Sequence, residues 1–110
     1  MLGELFDEES LFNNLGQESI EYIQWIRENV SKTKDELDTI IASFAKGWSI
    51  ERMNRVDVSI LRLALCEIIY REDISNGISI NEAVELAKKY SSDEGPAFIN
   101  GILGAYVRSL

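Results

Sequence analysis

The stretch DVSILRLALCEIIY, residues 57–70, decides the fold: between Ile60 and Ile69 only Arg62, Cys66 and Glu67 interrupt an otherwise apolar run. A surface helix carries one apolar stripe, whereas a helix that is apolar nearly all round must be covered by neighbours. The stretch therefore predicts the central helix of an all-α domain, and its surroundings supply the cover.

Toward the N-terminus, Ser49 offers a cap for the next turn and Glu51 suits the positive end of a helix dipole. Upstream, Leu37, Ile40, Ile41, Phe44, Ala45 and Trp48 step by three and four behind the capping-box pair Thr33 and Glu36, which predicts a helix over about 33–46. Ile20, Ile23, Ile26 and Val30 give a separate amphipathic helix over 17–30. Residues 1–16 are acidic, with Leu2, Leu5, Phe6, Leu11, Phe12 and Leu15 ahead of a stop at Asn13, Asn14 and Gly16; they form a short helix or a frayed arm. Toward the C-terminus, Ser75, Asn76 and Gly77 read as a turn, and Ser79 with Glu82 as a second capping box before Ala83, Val84, Ala87 and Tyr90. Gly95 and Pro96 open a last helix with Phe98, Ile99, Ile102, Leu103, Tyr106 and Val107 on one side. The expectation is one domain over residues 1–110, a compact bundle of about six helices around 57–70.

Composition narrows the function. Hydrophobic residues make up 45% of the 110 and charged ones 27%, as in globular rather than disordered chains. No apolar run approaches the roughly 18–20 residues that span a bilayer, which leads us to expect a cytoplasmic protein without a membrane partner. Histidine is absent and Cys66 is the only cysteine, so no common zinc ligand set exists and the thiol reads as a buried, inert one. With neither a P-loop nor a G-x-S-x-G elbow, the chain is expected to be no enzyme and to hold no cofactor or metal.

The net charge of −8 is unevenly placed. Residues 1–30 hold seven acids against Arg27 alone, while 31–110 carry ten bases and twelve acids. Attraction to nucleic acid rests largely on cations that neutralise phosphates, so this balance favours a basic protein partner over direct RNA binding.

Three strings then stand out in order: GWSIERMNRVDVSILRLALCEII (Gly47–Ile69), ISINEAVELAKKY (Ile78–Tyr90) and FINGIL (Phe98–Leu103). With Trp48, Arg52, Val56, Asp57, Leu61, Arg62, Leu63, Ala64 and Glu67 at their places, the chain resembles the NusB family. The resemblance implies an all-helical adaptor of transcription antitermination and ribosome biogenesis that pairs with the ribosomal protein NusE and, with it, recognises boxA-like RNA. Family members open with an arginine-rich segment and a first helix, whereas here Met1 is followed by Leu2, Gly3, Glu4, Leu5, Phe6, Asp7, Glu8 and Glu9. Weakened direct RNA binding is therefore expected, together with a homodimer through the surface left by the missing helix. An alternative is the NusB-like RNA-positioning domain fused to RNA cytosine methyltransferases, here without its catalytic part.

By the same resemblance Glu51 and Asp57 lie toward the NusE contact, where carboxylates would steer a basic partner; both also serve ordinary helix-start chemistry. Lys88 and Lys89, with Phe98 across the following loop, offer cations and an aromatic face to single-stranded RNA, and the resemblance adds Ser92, Asp93 and Glu94 as RNA contacts. The plainer reading makes the lysines solvated and Phe98 part of the core. Arg62 calls for an acid from another segment, and Glu67 with Arg71, four apart, reads as a surface pair.

Overall fold

The computed structural model describes residues 17–110, so the expected arm or helix over 1–16 lies outside the described residues. Four α-helices follow one another: α1 (Gln17–Phe44), α2 (Arg55–Tyr70), α3 (Asn76–Tyr90) and α4 (Gly95–Arg108), with a 3-10 turn at Ile50–Arg52 before α2. Helix α2 packs against each of the other three, which is the central position its apolar surface demanded. Leu61 and Leu65 on α2 are fully buried, together with Leu37 and Ile41 of α1, Ala87 of α3, and Ile99 and Leu103 of α4. Alanines at 64, 83 and 87 keep the helix faces slim where α2 and α3 meet.

The two helices expected over 17–30 and 33–46 are one helix of 28 residues. Its length of about 42 Å at 1.5 Å per residue matches the longest dimension of the domain, 41 Å. Thr33 does not cap: its hydroxyl donates to the Asn29 carbonyl at 2.7 Å, one turn back. Thr39 and Ser43 bond the carbonyls of Asp35 and Thr39 in the same way, so these polar side chains are satisfied without breaking the backbone ladder. Glu36, the other half of the expected capping box, accepts from the Tyr70 hydroxyl at 2.7 Å. The helix stops where Gly47 adopts φ +81°, a left-handed conformation that glycine takes without steric cost.

Four further local expectations change. Ser49 precedes the 3-10 turn but makes no capping bond; Asn54 caps α2 instead, accepting from the amides of Val56 (2.8 Å) and Asp57 (3.3 Å). The 75–77 turn is the start of α3, capped by the Ser75 hydroxyl oxygen, which accepts from the Ile78 amide. Ser79 is buried within that helix and donates to Glu67 at 2.6 Å. Glu67 therefore faces inward, and Arg71 pairs with Asp73 rather than with it. Arg62 meets the expected acid from another segment, holding Asp38 of α1 through two bonds of 2.7 and 2.8 Å.

Candidate protein and RNA interface

The start of α2, the end of α3 and the start of α4 converge at one end of the bundle, and most of the candidate residues lie there. The Ser91 hydroxyl, just past α3, donates to the Asp57 carboxylate at 2.5 Å. Gly95 opens α4 against this pair: a Cβ at that position would meet the Ser91 side chain inside contact distance and Asp57 Oδ1 at 3.0 Å. Asp57, Ser91 and Gly95 thus fix the loop of Ser92, Asp93 and Glu94, whose three side chains are exposed.

This arrangement favours the helix-start reading of Asp57. Its residue is only 5% exposed, so the carboxylate expected to greet a partner is used within the fold. The position is chemically apt, since an acid in a first turn meets the positive end of the helix dipole and here also accepts a hydroxyl proton. Glu51 is exposed in the 3-10 turn and remains available to a partner.

Phe98 is half-buried and touches the core, as its helical spacing implied, yet one edge meets Trp48 at a centroid distance of 6.5 Å and an interplanar angle of 69°. Trp48 itself is 56% exposed, against the expectation that it continues the α1 stripe. The signal was Gly47: once the chain turns there, the next residue no longer follows the helical face. Lys88 and Lys89 are exposed in the last turn of α3. The Lys88 ammonium lies 3.1 Å from Glu85, and that of Lys89 sits 5.9 Å from the Tyr90 ring.

Cys66 and Glu67 serve the interior. Burial, reinforced by the nearby Glu36 charge, pushes the Cys66 thiol up to about 11. Glu67 is held above the ordinary carboxylate range chiefly by burial, against the opposing bond from Ser79. Asp73 is lowered by its bond from Arg71, whose guanidinium also lies over the rings of Tyr22 (5.3 Å) and Trp25 (4.9 Å). Among the described residues no group of three or more His, Cys, Asp or Glu could hold a metal ion, and no helix is long and apolar enough to cross a membrane.

Sequence and fold point the same way. The NusB family model matches residues 1–108. The chain is 46% identical over 106 residues to the transcription antitermination protein NusB of Acetivibrio thermocellus, covering 92% of this chain and 73% of that protein. It is 48% identical over 88 residues to the protein of the same name from Clostridium botulinum, covering 80% of this chain and 62%, less than two thirds, of the relative. Among solved structures, a chain in the crystal structure of the antitermination factors NusB and NusE in complex with dsRNA superposes with a TM-score of 0.83 at 29% identity, covering 98% of this chain and 80% of that one. An all-helical bundle built around the 57–70 segment, with a sequence and fold of this likeness over nearly its whole length, belongs to the NusB family.

Proposed function

We propose that the chain is a non-enzymatic adaptor of transcription antitermination and ribosome biogenesis that binds the ribosomal protein NusE and, through that complex, boxA-like RNA. The observation that carries the reading is the likeness, over 98% of the chain, to a NusB crystallised with NusE and dsRNA. Relatives named as antitermination proteins favour this adaptor over a domain detached from an RNA methyltransferase.

The interface we assign is the end where the candidate residues gather. Glu51 supplies an exposed carboxylate for a basic partner, and the loop Ser92–Glu94, with Lys88, Lys89 and Phe98, borders the path of RNA. With a net charge of −8 the chain needs cations from its partner to hold phosphates firmly. Titration of the full chain with purified NusE tests the first half: binding is expected at low salt, and its absence refutes the reading. For the second half, boxA-like RNA is expected to bind weakly to the chain alone and more tightly once NusE is present. Tight binding to the chain alone with a steep salt slope refutes the charge argument.

A further inference from the structure

At the opposite end of α2 an apolar groove lies open between α1, α2 and α3. Its floor is formed by Ile23, Ile26, Leu63, Ile74, Ile78 and Leu86; the described residues that line it include the carboxylates Asp73 and Glu82, and Glu67 turned inward to Ser79, but no lysine or arginine. Ile78, in the first turn of α3, is 57% exposed, an uncommon placement for so large an apolar side chain. Tyr22 also lines the groove, and its hydroxyl is buried with no hydrogen-bond partner among the described residues. A buried donor without a partner is rare in a finished interior. Arg71 is the nearby cation, and it is engaged by Asp73 and by the Tyr22 and Trp25 rings.

We infer that this groove docks a cationic amphipathic helix from another protein, with apolar residues on the floor and lysines or arginines against the acidic rim. Charge selects among the occupants. Residues 1–16 are rich in leucine and phenylalanine, but they carry Glu4, Asp7, Glu8 and Glu9 and no base. A second copy of the chain brings a charge of −8 toward the same rim. Only a basic segment gains on both counts, because opposite charges guide encounter and register while the apolar face supplies the affinity. The inference goes beyond the adaptor reading and does not rest on it, since the groove lies away from Glu51 and the 92–94 loop.

The test uses the full chain and a fluorescein-labelled leucine–lysine peptide of about 18 residues, long enough to form a helix on a surface, with leucine on one face and lysine on the other. Anisotropy is read at about 0.15 M salt, where exposed charges are largely screened. Ile78→Asp adds a negative charge that would help binding by charge alone, yet it is expected to weaken the peptide at least about tenfold by spoiling the floor. Leu110→Asp adds the same charge at another exposed site and is expected to stay within about twofold. A counterpart peptide with glutamate for lysine is expected to bind at least about tenfold more weakly. The inference is overturned if Ile78→Asp leaves binding unchanged while circular dichroism shows it folded, or if the glutamate peptide binds as well. It is also overturned if Leu11→Asp with Phe12→Asp in the full chain tightens binding about tenfold or more, which would mean that the chain's own segment fills the groove. A chain that is dimeric by light scattering, and made monomeric by Ile78→Asp, would assign the groove to a second copy and overturn it likewise.

Discussion

Gly95→Ala is the substitution by which the junction of α3 and α4 is most directly tested. The new methyl group would overlap the Ser91 hydroxyl and lie 2.7 Å from Ser91 Cβ. A hydroxyl can rotate away, but a Cβ moves only with its backbone, so the clash must displace Ser91 or the start of α4. Overpacking of this kind costs about 1–3 kcal/mol, and disturbing the 2.5 Å bond from Ser91 to Asp57 forfeits part of the roughly 1.5–3 kcal/mol typical of a hydrogen bond to a charged group. Alanine's higher helix propensity returns less than about 1 kcal/mol at a first-turn position. The net expectation is a loss of about 3 kcal/mol, read as a fall in Tm of about 15 °C for a domain of this size. Urea unfolding of the variant alone and in a Ser91→Gly background isolates the cause: with Ser91 Cβ and hydroxyl removed, only the contact with Asp57 Oδ1 at 3.0 Å remains, and Gly95→Ala should cost much less, a coupling of about 2 kcal/mol. A cost below about 0.5 kcal/mol, or one that persists undiminished beside Ser91→Gly, refutes the packing described for this junction.

Thr33→Ala should leave stability unchanged or raise it slightly if α1 runs unbroken, whereas loss of a real N-cap would cost about 1 kcal/mol, so chemical denaturation separates the two. Leu61→Ala empties a fully buried site beside Leu65 and should cost about 2–5 kcal/mol by urea unfolding; a loss under about 1 kcal/mol would mean that α2 is not central. Burial holds Glu67 above its ordinary value of 4.5 in the fold, so the native state binds more protons than the unfolded chain, and the stability from this group is full below about 4.5 and is lost as pH rises through the native pKa. Glu67→Gln, which can still accept from Ser79, should therefore raise Tm at pH 7 relative to wild type and lose that advantage at pH 4; the opposite order contradicts the assignment. Cys66, with its thiol raised to about 11, should resist alkylation at pH 8 until the chain opens, and rapid labelling of the native protein would contradict its burial.

The parts of the fold that announced themselves in the sequence are those where many residues had to agree. The 57–70 segment has too few polar positions to sit anywhere but the middle, and the 95–108 helix carries both a proline start and a sustained apolar face. The break placed near residue 31 rested on two residues, Thr33 and Glu36, and a capping box is a local option that a continuous helix can decline. The longer pattern held the better signal, since Ile26, Val30, Leu37 and Ile41 are spaced by four, seven and four and stay on one face across the supposed break. Similarly, Ser75 reads as part of a turn and Ser79 as the cap, and only the neighbour on α2 reverses this: Glu67 takes the Ser79 hydroxyl, and Ser75 caps. The groove beside Ile78 was not legible at all, because it is made by three segments distant in sequence.

Asp57 shows how a candidate contact residue can also be committed to the fold. Its position at the start of α2 and the family likeness both draw attention to it, but the carboxylate holds Ser91 and lies close against Gly95. Replacing it with lysine buries an unpaired cation among these groups and shifts the 92–94 loop, so weaker binding of NusE by such a variant would follow from misplacement even without a contact. Glu51 is free of that ambiguity. It is exposed in a 3-10 turn, makes none of the bonds that tie α2 to α3, and its reversal to lysine should leave Tm nearly unchanged. A drop in the association rate with NusE that shrinks as salt rises would then report the charge contact itself.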